Sequence, residues 1–244
     1  MEGLRSGAGR PGFIVIVSCT GFDQRAVSEY FDELDEFYRD VWGEHVHHGL
    51  FERGNESVEE ASVLLVAKVA DALGVEKGAY VCDVGCGYGA TGRWLAENRG
   101  INVTGVTYSE KQVAVAAKRE TRYGQAWSKV IHHDWLDNRL PAEDFDACIA
   151  LESTEYMPDR QRVFDEMFRV TKPGGRLVCC VWMTSETPSK ASVEWLLEPI
   201  CRESRQAGLG SLYENKSWIE NAGYRVLSVQ DLSGKVAKTW TVCA

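Results

Sequence analysis

The stretch VCDVGCGYGATG, Val81 to Gly92, decides how the rest of the chain is read. An apolar run ends in a glycine cluster and a helix-forming segment follows, so the stretch predicts strand, turn, helix. The spacing G-x-G-x-x-G/A occurs twice, as Gly85, Gly87, Ala90 and as Gly87, Gly89, Gly92. Glycines let backbone approach a ligand closely, and the helix after them offers unpaired N–H groups. The spacing alone does not choose the ligand; two neighbouring residues do. Asp83 stands two residues before the first glycine, where a carboxylate would repel a pyrophosphate and attract a cation. A dinucleotide site also wants Asp or Glu at the tip of the next strand, about 20 residues on. That place reads Thr107-Tyr108-Ser109. Cys82 and Cys86 lack partners at metal-ligand spacing and read as small packing residues. The His residues of HVHHG and of the distant HH are joined by no carboxylate, so no metal site is expected.

Working outward, the chain alternates strand and helix. AYVCDVG, INVTGVTYS, SKVIHHD, FDACIALES and RLVCCVWMT read as buried strands, and YRVLSVQDL as a sixth. Between them lie ATGRWLAENRG, EKQVAVAAKRETRYG, DRQRVFDEMFRV and KSWIENAG, with helical signals. Nearly continuous apolar strands alternating with helices imply a parallel sheet covered on both faces. The fold class is therefore α/β, a doubly wound, mostly parallel sheet. Upstream, QRAVSEYFDELDEFYRDVWG has helical periodicity. SVEEASVLLVAKVADALG follows with Ser57 as N-cap, Glu60 three residues on, and Gly74 as the stop.

Composition narrows the partners. The 244 residues are 44% hydrophobic, enough for one sizeable core. A net charge of −9 speaks against broad nucleic-acid binding and favours a small molecule. Eight cysteines lie mostly in apolar runs with no CxxC pair, which favours a reducing, cytoplasmic location. No run approaches the ~18 apolar residues of a membrane span. The segment MEGLRSGAGRPGFIVIVSC loosely resembles a lipoprotein signal. Its apolar core FIVIV is shorter than the roughly 7–15 residues such signals need, so 1–22 reads as a disordered leader.

With these segments in order, the chain resembles the class I S-adenosylmethionine (SAM) methyltransferases. VCDVGCGYG is similar to their strand followed by D-x-G-x-G-x-G. NVTGVTYSEKQ resembles the G-[IVL]-T-x-S-x-x-Q segment of a small-molecule branch that includes tocopherol, sarcosine/dimethylglycine and natural-product methyltransferases and the cyclopropane-fatty-acid synthases. FDACIALESTEYMPDR, VTKPGGRLVCC and FYRDVWGEHVHHGLFE resemble the fourth-strand motif, the turn after it and the N-terminal cover of that branch. Roughly residues 26–232 take part.

The resemblance implies a Rossmann-like, seven-stranded sheet and SAM as cofactor. It places Asp83 near the ammonium of the SAM tail, with Gly85, Gly87 and Gly89 admitting tail and ribose. Thr107 and Gln112 take the ribose hydroxyls. Tyr108 packs on adenine, Asp134 and Trp135 meet its edge and face, Leu151 covers the cofactor, and Tyr38 reaches it from the cover. The implied activity is methyl transfer to a small, apolar or aromatic metabolite. A SAM-binding protein without transfer activity, or with other SAM chemistry, is the alternative.

Acid–base candidates come from the fourth-strand tip, Glu152 and Glu155, and from His47 and His48 of HVHHG. Of these Glu155, His48 and Glu152 are expected to be catalytic. Many relatives carry His where this chain has Tyr156, so a base at that position is lacking. Tyr30, Phe31, Phe37, Tyr38 and Trp42 read either as a core-facing stripe or as an acceptor wall. The expected organisation is a leader over 1–22, a helical cover over 23–75, and a SAM-binding domain over 76–244 with a lid insertion at 184–212. That lid offers Trp195, Leu196, Leu197 and Ile200 as apolar cover. TWTVCA reads as a last strand or as a helix, with the helix favoured, in which case the sheet stops short of a seventh strand.

Overall fold

The computed structural model describes residues 17–18, 22–119 and 121–242. Its strands are β1 (Val17–Ser18), β2 (Tyr80–Val84), β3 (Asn102–Thr107), β4 (Arg122–Tyr123), β5 (Ala126–His132), β6 (Phe145–Leu151), β7 (Thr171–Cys180) and β8 (Gly208–Leu209). Six form one sheet in the order β4-β5-β3-β2-β6-β7, and all neighbours are parallel except β4 with β5. The chain runs outward from β2 through β3 to β5, then crosses to β6 on the other side of β2. The crevice at the C-terminal ends of β2 and β6 is thus the topological switch point, where such sheets bind ligands.

Alternation along the central strands builds two cores. Val81, Ala147 and Ile149 face one side, with Val66, Val69, Leu73 and Leu95 packed on them. Those partners come from α3 (Val58–Leu73) and α4 (Ala90–Arg99). Cys82, Val84, Cys148 and Ala150 face the other side, against Val163, Phe164 and Met167 of α6 (Arg160–Val170). Period-two side-chain direction under helices on both faces is what a doubly wound sheet requires. The predicted caps form: Ser57 and Glu60 make a capping box, and Gly74 ends α3 in the left-handed region.

Four expectations change in detail. The cover helix is broken at Leu34 into α1 (Gln24–Glu33) and α2 (Asp35–Val41). α5 (Glu110–Ala116) ends early, and the residues assigned to its tail form β4, turned through Gly124 at φ +64° onto β5. YRVLSVQDL is not a strand. Residues 224–232 have no regular structure and leave Leu227 and Val229 exposed, because the segment pairs with no sheet edge. The sixth strand is therefore β4, and no seventh strand joins the sheet among the described residues. Residues 233–242 are helical turns, Ser233–Val236 and Lys238–Val242, as the favoured reading had it.

Within 1–22, only 17, 18 and 22 are described. Val17–Ser18 is paired antiparallel with Gly208–Leu209, so part of the expected leader is strand. The remaining residues of the leader lie outside the described residues. No described helix is long and apolar enough to cross a membrane.

Candidate cofactor and acceptor site

The cleft at the switch point encloses about 1030 Å³ of empty space, the open mouth included. Its floor is the loop after β2. Gly85 N–H and Cys86 N–H both donate to the Val106 carbonyl, at 2.9 and 3.0 Å, which ties the loop to β3. Gly85 has φ +73°, and a Cβ there would sit 2.3 Å from Ser153 Cβ. Ser153 in turn donates to the Val84 carbonyl at 2.5 Å, so the β6 tip closes on the glycine. Gly87, at φ +55°, faces open space with nothing within 4 Å of a built Cβ. Gly89 caps α4, whose first turn presents its unpaired N–H groups to the loop.

Asp83 is 2% exposed, and its Oδ2 finds no hydrogen-bond partner. Burial pushes its pKa up to about 7. An unpaired buried carboxylate is costly to a fold, so its position on the cleft wall fits a site that supplies a cation. The β3 tip carries no carboxylate. Thr107 donates to Gln112 Oε1 at 2.5 Å, and both line the cleft. The orphaned acid, the open glycine and this polar pair together fit a cationic nucleoside with an amino-acid tail, which is SAM.

Tyr108, Asp134 and Leu151 also line the cleft. Asp134 Oδ1 accepts from Leu136 N–H at 2.9 Å, capping the turn Trp135–Asp137. Trp135 touches the cleft, but its ring belongs to the core beside Val163, whose carbonyl takes the indole N–H at 3.1 Å. Tyr38 does not line the cleft. It stands behind Phe31, hydroxyl to hydroxyl with Tyr30 at 2.8 Å, within a cluster that includes Trp42. Burial first, then the Tyr30 bond, hold its pKa above the ordinary value, and it is a neutral packing residue here.

At the β6 tip the two acids separate. Glu152 has φ +51° and lines the cleft. Its carboxylate accepts from His48 Nδ1 at 2.8 Å, from His48 N–H at 3.2 Å and from Trp182 Nε1 at 2.9 Å. Burial pushes Glu152 up, but the His48 bond and the nearby imidazoles outweigh it, and its pKa lies below the usual value. Glu155 lies on the short 3-10 turn Thr154–Tyr156 and does not reach the cleft. It is buried, accepts from Trp182 N–H at 2.5 Å, and is pushed up by burial against the pull of Arg160.

The histidines divide the opposite way from expectation. His48 lies outside the cleft lining, edge-on to Trp182 and Trp240. His47 lines the cleft, as does His45. HVHHG is coil with no periodicity, so no sequence signal distinguished the two. The fitting observation for lid residues is also negative: among the described residues, no residue of 184–212 lines the cleft. Trp195 is 77% exposed and Leu196 is exposed, while Leu197 and Cys201 pack inward beneath them.

The cover is fastened to the cofactor loops by carboxylates. Asp32 accepts from Ser109 Oγ at 2.5 Å, and Asp35 from Tyr88 hydroxyl at 2.6 Å. Glu44 pairs with both Arg93 and Arg119. None of these latches was anticipated from sequence.

Fold and site thus define a SAM-binding protein of the doubly wound class. A family model described as a methyltransferase domain matches residues 82–179. The chain is 31% identical to a 27-O-demethylrifamycin SV methyltransferase of Amycolatopsis mediterranei (strain S699), covering 89% of this chain and 80% of that one. It is 27% identical to a chloroplastic tocopherol O-methyltransferase of Arabidopsis thaliana, covering 89% and 68%. Among solved structures, the [4+2]-cyclase SpnF superposes with a TM-score of 0.79 at 26% identity, covering 96% of this chain and 82% of that one. The chain belongs to the class I SAM-dependent methyltransferases, in their small-molecule branch, and transfers a methyl group to a small metabolite.

Proposed function

We propose that the acceptor is an apolar or aromatic small molecule and that its methylated atom is a hydroxyl oxygen. The observation that carries this is the composition of the acceptor end of the cleft. Val27, Phe31, Tyr156 and Met157 supply apolar wall, and Glu152 and His47 supply polar atoms among them. The two relatives named above for O-methylation support the oxygen. The cofactor, when bound, supplies a methyl group already activated by the sulfonium charge, so the protein has mainly to align the acceptor and keep the site dry.

In this reading Asp83 faces the cofactor ammonium, and Gly85, Gly87 and Gly89 form the tail and ribose cradle. Thr107 and Gln112 hold the ribose, while Tyr108, Asp134 and the edge of Trp135 bound the adenine. Leu151 covers the cofactor. Glu152 orients the acceptor, and His48 holds Glu152 in place. Glu155 braces the β7 end, and Tyr38 braces Phe31. The domain reading becomes a cover over 23–75 latched onto a SAM-binding body over 76–244. A reducing, cytoplasmic location suits the free thiols of Cys82, Cys86, Cys148, Cys179 and Cys180.

Two observations favour a second reading. The structural likeness to a protein named for a [4+2] cyclisation, together with Tyr156 in place of a histidine, suits a SAM binder that performs another reaction. Transfer of labelled methyl from SAM to a panel of apolar phenols and alcohols tests both. Label on oxygen is the expected result. Tight S-adenosylhomocysteine binding with no label on any compound sinks the first reading and supports the second.

A further inference from the structure

Tyr156 stands where a base is often found, and it is a poor one. Burial pushes the phenol pKa well above its ordinary range, so it stays protonated. Glu155 is turned away, and the Glu152 carboxylate already receives donors from His48 and Trp182. Apart from Asp83 Oδ2, two unpartnered buried polar atoms belong to residues of the cleft lining, His45 Nδ1 and His47 Nε2, and the His47 ring has its other nitrogen tied by a hydrogen bond. This side chain is 7% exposed and lines the cleft. Its Nδ1–H donates to the His48 carbonyl at 2.9 Å, which fixes the tautomer and leaves Nε2 as a bare lone pair. That Nε2 is buried and has no hydrogen-bond partner. The groups around the ring are Glu152 from the β6 tip, His48 beside it, and His45, whose ring centroid lies 5.4 Å away. Burial keeps the imidazole neutral against the pull of Glu152, so the lone pair is available.

We propose that His47 Nε2 is the proton acceptor of the reaction, the base that Tyr156 does not provide. The inference rests on the hydroxyl-acceptor reading above. As the acceptor oxygen takes the methyl group, its O–H bond breaks and the proton moves to Nε2. The bonding pair of the broken S–CH3 bond stays on sulfur. The resulting imidazolium is held by its Nδ1–H bond to the His48 carbonyl and by the charge of Glu152. It returns its proton to water when the cleft opens.

Three measurements on the full chain test this. In ¹⁵N-detected NMR of the S-adenosylhomocysteine complex, the His47 ring is expected as the Nδ1–H tautomer with Nε2 unprotonated. A protonated Nε2 overturns the proposal. His47→Gln is expected to bind S-adenosylhomocysteine within about threefold of wild type. A loss beyond tenfold overturns it too, because His47 would then be a cofactor ligand. With the phenol panel, His47→Gln is expected to lose about 100-fold or more in kcat, the usual range for a base. His47→Gly should regain activity when imidazole is added, which a merely structural histidine would not allow. If His47→Gln keeps full transfer to oxygen, the base assignment fails while the O-methyl reading stands. If the wild type labels carbon or nitrogen but no hydroxyl, the O-methyl reading falls and takes the base with it.

Discussion

The two ends of the cleft are built by different means. The cofactor end is mostly backbone: a tight loop with three glycines at positive φ, tied to β3 by two hydrogen bonds to one carbonyl. The acceptor end is mostly side chains, drawn from the cover, HVHHG and the β6 tip, with Trp182 bracing Glu152. A backbone site needs particular residues in a short run, and that run is visible in sequence. A side-chain site needs only that distant segments meet. The cofactor end should therefore be brittle to single substitutions, and the acceptor end graded.

The largest effect belongs to Gly85→Val. The new side chain meets Ser153 at a φ that disfavours any Cβ. Soluble yield should collapse or S-adenosylhomocysteine binding should vanish in calorimetry; binding near wild type would break the contrast. Asp83→Asn comes next. S-adenosylmethionine affinity should fall about 10- to 100-fold, the range of a lost charged hydrogen bond. At pH 8 the ligand-free variant should be more stable than wild type, by about 1 kcal/mol, since an unpaired buried charge is gone. The pH dependence has a definite sign. The folded pKa of about 7 lies above the unfolded value of 3.8, so the ligand-free fold loses stability between roughly pH 4 and 7 from this group and is flat above. Cofactor affinity should run the other way and weaken as pH drops below 7, when the carboxyl is protonated. Thermal melts and titrations across pH 5–8 read both.

Smaller effects are expected at the cover. Glu44→Gln removes the ion pairs to Arg93 and Arg119 at a partly exposed carboxylate, so cofactor release should quicken about two- to fivefold in stopped flow. Its salt dependence should diminish with it. The smallest is Trp195→Ser, within about 0.5 kcal/mol in stability and silent in cofactor binding. A large loss of cofactor affinity there would mean that the 184–212 segment closes over the cofactor.

The same contrast explains what the sequence made legible. Apolar runs such as FDACIAL have one physical solution, a strand buried on both faces, and the glycine loop and Asp83 fix the ligand beside it. Other features depended on partners elsewhere. Arg122–Tyr123 becomes a strand because Gly124 turns it onto β5. YRVLSVQDL has strand composition but no edge to join. Past Leu151 the alternation that would place Glu152 and Glu155 is lost, because Glu152 turns into the left-handed region and a 3-10 turn follows. That change of phase puts Glu152 in the cleft and Glu155 behind it. His47 and His48 sit in coil, where no period assigns a direction.

The Glu152 carboxylate also says something about how the molecule comes into being. Its donors lie 104 residues before it and 30 after it, whereas the cofactor loop closes onto β3 within a short span of chain. Loop-closure entropy makes such distant contacts late events in folding. The β2–β3 part of the cradle should therefore close before the His48 contact at the acceptor end, while its closure by Ser153, 69 residues from Val84, waits for β6.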